Sequence, residues 1–297
     1  MTEWVLSVEG TDTGRHIAIA LALLAALFHA TLGALQKGRY DPVTMRGAVD
    51  ICYLGLALPF ALFVLPWPEP ALWPVLVGVF VVHSIYKLLQ ARAYELGAFT
   101  VVYPVVRGTG PLVTVLVAGV LFAEVYSPRQ WIGVMVLSLS ILALAWVNLR
   151  GVTIARSALL AALGYAVATG TLVAAYTVYD AWGIRLAEHP AVFLAWFFVV
   201  DGVLFPVLAW RRRLTQSAPP DLLPLLRRGL FGAVIAMASF AAIMLATCIG
   251  KVGEAAVLRE TSVIFGALIG WWFLGERVGL LRAALICLIA VGAILVF

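Results

Sequence analysis

The sequence predicts an all-α membrane protein with ten transmembrane helices arranged as two inverted repeats of five. Three observations predict it. Of the 297 residues, 64% are hydrophobic and only 12% are charged, about half the charged share of a soluble domain. Apolar runs of about 20 residues, enough to cross a bilayer core as a helix, recur along the whole chain. The second half of the chain also echoes the first. The runs are continuously apolar and do not alternate, which argues against strands.

In order, the expected spans are 17–36, 48–66, 72–95, 98–121, 130–148, 155–179, 191–210, 229–250, 254–275 and 279–296. The first 16 residues are polar, and the first apolar run lacks a small-residue cleavage signal, so it reads as a retained helix. Turn chemistry separates the later spans: PWPEP at 66–70, SPRQ at 127–130 and APPD at 218–221. Trp67, Trp73, Trp131, Trp146, Trp182 and Trp210 fall at span ends, as an interfacial belt would. Lysines and arginines number thirteen on the side holding the loops after spans 1, 3, 5, 7 and 9. The other side holds only Arg15, Arg129, Arg185 and Lys251. That bias predicts both termini outside the cytoplasm. The arginine-rich segment 211–228 is expected to meet anionic lipid head groups.

The repeat is read from three matches. LLAALFHA (23–30) corresponds to LLAALGYA (159–166), and YELG (94–97) to GKVG (250–253). Arg107 and Glu124 lie 17 residues apart, as do Arg259 and Glu276. The halves are then 1–150 and 151–297. Five spans per repeat is odd, so the two copies cross in opposite directions, a pattern of transporters with a site near the midplane. These features, with the GER turn at 275–277, resemble the EamA-type transporters of the drug/metabolite transporter superfamily. The resemblance implies a ten-helix bundle around a central cavity lined mainly by spans 1, 3, 4, 6, 8 and 9. It also implies export of amino acids and other metabolites, or carriage of nucleotide sugars and phosphates. Glu276 stands at the family's GER position and Glu124 at its first-repeat counterpart. Arg107 and Arg259 depart from it, standing where apolar or small residues are commoner.

Charged groups inside a span cost about 2.5–3.5 kcal/mol on insertion scales. Arg107 lies about nine residues, roughly 13 Å, into its span, and is expected to face the cavity and hold a carboxylate or phosphate. A salt bridge to Glu260 or Asp201 is the alternative. Arg259, its repeat-mate, joins it; Glu260 then serves as counter-ion or proton-coupling carboxylate, and Asp201 has either role. His83, Tyr86, Lys87 and Gln90 recur at helical spacing on one face of span 3. His29 and Tyr165 are mates at midplane depth, and Tyr103 with Pro104 precedes Arg107 by one turn, where the proline frees a carbonyl. Glu124 and Glu276 lie at helix ends and read as structural or gating residues.

The expected substrate-binding set is therefore Arg107, Arg259, His83, Tyr86, Tyr103, His29, Tyr165 and Lys87. Basic residues outnumber acidic ones in it, which points to amino acids or other carboxylate-bearing metabolites, exported by alternating access. The alternative is proton-coupled efflux of lipophilic cations through Glu260 or Asp201. Cys52, Cys248 and Cys287 show no metal or disulfide spacing, and no catalytic motif occurs. Neither enzyme activity nor a cofactor is expected. The expected partners are a small-molecule substrate and the lipid bilayer of a bacterial inner membrane, not nucleic acid, with the chain monomeric or homodimeric.

Overall fold

The computed structural model describes residues 2–36, 40–97, 99–149, 156–274 and 279–296. Every regular element among them is a helix: α1 (Thr2–Val8), α2 (Asp12–Gln36), α3 (Pro42–Phe63), α4 (Leu72–Leu96), α5 (Phe99–Leu121), α6 (Pro128–Leu149), α7 (Arg156–Leu186), α8 (Pro190–Asp201), α9 (Leu204–Thr215), α10 (Leu222–Ile249), α11 (Val252–Arg259), α12 (Ser262–Leu274) and α13 (Leu280–Val296). Eight spans are long and apolar enough to cross a membrane, α8 and α9 counting together as one. With the broken α11–α12 pair and α13, they make the ten spans expected. The repeat boundary at 150/151 and Glu276 lie outside the described residues.

The breaks have chemical causes. Pro206 has no N–H, and its ring clashes with the carbonyl four residues back. Span 7 accordingly stops at Asp201, where the Gly202 N–H closes onto Phe198 O at 3.1 Å, and restarts at Leu204. In span 9 the sequence Arg259-Glu260-Thr261-Ser262 interrupts the ladder. The Glu260 and Thr261 N–H groups reach back only three residues, to Val257 O and Leu258 O, and the Thr261 hydroxyl takes Leu258 O at 2.6 Å. A threonine side chain competing for a helical carbonyl does this. The local break expected at Pro104 of span 4 does not occur: α5 runs unbroken through it, and through Pro111.

Packing joins the two halves in matched pairs. α2 lies against α10, α11 and α12, while α7 lies against α4 and α5; α3 meets α8, α9 and α10, and α6 meets α13. The last contact is close because of two glycines. A Cβ on Gly133 would stand 2.7 Å from Gly292 O, and one on Gly292 would stand 2.6 Å from Leu137 N. Small residues are how helices approach when lipid supplies no hydrophobic drive between them. Gly292→Val should therefore lower stability by about 1–3 kcal/mol through overpacking, measured as a drop in the unfolding midpoint in detergent. An equal melt would show that the contact is slack.

Candidate functional site: a charged cavity at the helix breaks

Two buried ionic clusters meet at the centre of the bundle. The first is built on Lys87 of α4, 3% exposed. Its Nζ donates to Asp50 Oδ2 and Asp201 Oδ2, both at 2.8 Å, and to the Asp201 carbonyl at 3.1 Å. The Tyr53 hydroxyl, 3.1 Å from Nζ, itself donates to Asp201 Oδ2 at 2.5 Å. Arg46 completes the group, with Nε 2.6 Å from Asp50 Oδ1 and a terminal nitrogen 3.7 Å from Asp201 Oδ2. Because α8 ends at Asp201, that residue's carbonyl has no helical partner, and the ammonium supplies one. His83, one turn before Lys87, places Nε2 at 2.8 Å from Asp180 Oδ2 and Nδ1 at 3.8 Å from Asp201 Oδ1.

The second cluster sits at the other break. Arg107 NH1 lies 3.2 and 3.4 Å from the two oxygens of Glu260. Arg259 donates to the Thr177 hydroxyl at 3.1 Å, and its Nε stays 3.7 Å from Glu260 Oε1. One carboxylate therefore serves two guanidinium groups. The Nε–H groups of Arg107 and Arg259 are buried without a hydrogen-bond partner. Tyr103 lies under the Arg107 guanidinium, 5.3 Å from ring centroid to Cζ, a cation–π arrangement; its hydroxyl reaches Ser262 Oγ at 3.3 Å.

Between the clusters lie two adjoining cavities, about 80 Å³ and about 40 Å³, that share His29, Leu32, Arg46, Tyr86 and Tyr176 as lining. The larger reaches His83, Asp201 and Arg259, with an aromatic wall of Phe197 and Phe240 stacked 3.8 Å apart. The smaller reaches Gln90, Tyr103 and Arg107.

Of the residues singled out from sequence, His29, His83, Tyr86, Tyr103, Arg107, Arg259 and Asp201 therefore converge on one space. Lys87 is held behind it by two carboxylates. Tyr165 stands apart, 36% exposed on the outer face of α7. Four members were missed: Asp50, Tyr53, Asp180 and Arg46, the last counted as loop charge. Arg46, Asp50 and Tyr53 follow helical spacing of four and three residues, the signal that exposed the span 3 stripe. Asp180 was lost because the span was ended at 179, whereas α7 runs to Leu186.

Contacts also bridge the connections at the two ends of the spans. At one, the Glu124 carboxylate accepts the Val252 and Gly253 N–H groups at 2.6 and 3.1 Å, capping α11 from the α5–α6 connection. Tyr126 donates its hydroxyl to the same carboxylate; burial and that bond push its pKa well above the ordinary tyrosine range, keeping it a donor. Arg185 holds Gly250 O at 3.0 Å beside them. At the other end, Arg212 pairs with Asp41 and Glu95 at 3.4 and 3.3 Å, so this arginine of the basic segment is engaged with protein carboxylates.

A polar cavity at the breaks of two discontinuous helices, among apolar spans, is the arrangement of a multi-pass integral membrane protein and is consistent with a transporter. Residues 160–297 match the model of the EamA-like transporter family, which is part of the drug/metabolite transporter superfamily. A solved structure described only as "Crystal structure of protein" shares the fold at a TM-score of 0.74. It is 18% identical, and the match covers 95% of this chain and 97% of that one. No curated protein matches the chain.

Lys87→Met removes the shared cation and leaves two carboxylates buried. It should destabilise the protein by about 3–5 kcal/mol, read from unfolding in detergent. Replacing Asp50 and Asp201 with asparagine in the same chain should recover much of the loss.

Proposed function

We propose that the chain is a secondary transporter of small carboxylate-bearing metabolites, with amino acids the leading class and export the direction. One observation carries the reading: Arg107 and Arg259 border the central cavity with a single carboxylate, Glu260, between them. This cluster has one positive charge in excess, and a substrate carboxylate entering beside Glu260 would balance it. Guanidinium groups suit that task, because their planar fork accepts a carboxylate at two points. Tyr86, Tyr176, Phe197 and Phe240 supply an apolar wall for the rest of the molecule. Bridges between the connections at both ends of the spans support alternating access, as contacts that opening on one side would break. The matched packing of the halves supports the inverted repeat that such a cycle uses. At about 80 Å³ the cavity holds several waters, and substrate entry requires it to widen as one mouth opens.

Efflux of lipophilic cations is the weaker reading. It needs an available acidic acceptor, yet Glu260 is bonded to Arg107, and Asp201 to Lys87 and Tyr53.

Thermal shift of the purified protein tests the proposal, using a panel of amino acids, simple carboxylates, phosphorylated metabolites and lipophilic cations. A ligand at about 100 times its dissociation constant adds roughly 2.7 kcal/mol to the folded state. Carboxylates should stabilise the wild type and fail to stabilise Arg107→Gln. Glu260→Gln, which removes the internal competitor, should bind them at least as tightly. Stabilisation by cations alone, unchanged in Arg107→Gln, would overturn the assignment.

A further inference from the structure

The charges left over after the arginine site is described fall around His83. On the elements about it lie two cations, Arg46 of α3 and Lys87 of its own helix. Three carboxylates face them: Asp50 of α3, Asp180 of α7 and Asp201 of α8. Two against three leaves the cluster short by one positive charge. Tyr53, Tyr86 and Tyr176 are the other titratable neighbours. Across the cavity stand His29 on α2, and Arg107 and Arg259 of the second cluster.

The imidazole is the group placed to supply the missing charge. One ring nitrogen meets Asp180 Oδ2 at 2.8 Å and the other faces Asp201 Oδ1 at 3.8 Å. A neutral imidazole carries one N–H and one lone pair, so one of its nitrogens would turn a lone pair toward a carboxylate. With a proton added, both nitrogens donate. The faces and edges of the ring are covered by Tyr176, centroids 4.5 Å apart, and by Phe197 at 4.9 Å, so water does not replace the carboxylates there. Asp180 is fully buried, and its second oxygen, Oδ1, has no hydrogen-bond partner. An ionised carboxylate with so little solvation at this depth requires a charged neighbour. His83 lines the cavity and Asp180 is not among its lining residues, so a proton entering from the cavity meets the imidazole first.

We infer that His83, backed by Asp180, is a proton-binding site in the cavity wall, holding one proton between the aspartates of α7 and α8. Asp180 is a positioning residue: it fixes the ring and supplies the counter-charge. The site is distinct from the arginines and does not depend on which substrate they take.

The test is nitrogen-15 NMR of full-length protein labelled at histidine and held in lipid nanodiscs. The chain has four histidines, so the single substitutions His16→Gln, His29→Gln and His189→Gln assign three signals and leave that of His83, whose titration is then read on protein that keeps His29. From about pH 8 to about pH 5, the window in which imidazole charge changes, that signal should pass from the neutral to the imidazolium form. Asp180→Asn keeps an acceptor for the ring but removes the charge. It should need about tenfold more protons or above for the same occupancy, as losing an opposite charge in contact implies. A His83 signal fixed in one form across the window, or one that titrates identically in Asp180→Asn, would overturn the inference. Infrared spectra of the wild type over the same window guard against a misfolded variant. A new carboxylic-acid band without imidazolium would place the proton on an aspartate and also overturn it.

Discussion

The ammonium group of Lys87 is the constraint from which the centre of the bundle follows. It joins α3, α4 and α8 through Asp50, Asp201 and the last carbonyl of a broken helix. A single lysine in an apolar span would be costly. Held by two carboxylates and a free carbonyl, it becomes the point where three helices are fixed in register. Asp201 can stand at the end of α8 because Pro206 stops the helix there, and Arg46 can lie inside the protein because Asp50 meets it one turn on. Neutralising any one partner leaves the others buried and short of charge, so the group is retained or lost together.

That interdependence divides what the primary structure reveals from what it hides. The ten spans were legible because hydrophobic length is a local property. Arg107 and Glu260 were legible because an ion in an apolar run is conspicuous, and their pairing was one of the alternatives open from the start. Lys87 was also visible, but its role was not. A cation on a polar helical stripe reads as a ligand for something outside the chain until its carboxylates are found on other helices. Asp50 and Asp180 escaped notice because they sit near expected span ends, where a charge ordinarily meets water. Burial at those points is set by neighbours far away in sequence. Tyr165 illustrates the converse. The sequence match pairs it with His29, which borders the cavity, yet Tyr165 is exposed, because the direction of a side chain is set by how its own helix packs.

The broken helices show how local chemistry reaches the site. In α8–α9 a proline enforces the interruption, and in α11–α12 hydroxyl side chains do so without one. Each break delivers a backbone end and an acidic side chain to the same small volume. The prolines of α5 do neither, because the chain there stays helical around them. A proline in a span is therefore a weaker guide to the site than an ionised residue beside a turn-forming one.

Taken together, the two clusters contain Arg46, Lys87, Arg107 and Arg259 against Asp50, Asp180, Asp201 and Glu260, four charges of each sign. The interior as a whole is then electrically silent when His83 is neutral. Carrying one unbalanced elementary charge across a membrane involves about 2.3 kcal/mol per 100 mV. A bundle with this composition can turn over without that work when unloaded. On the proposed function, it does so again when a substrate of net charge −1 on the arginines is accompanied by a proton on His83, or when a zwitterionic amino acid binds without that proton. On that reading the membrane voltage gains no purchase on either leg of the cycle, and only chemical gradients set its direction.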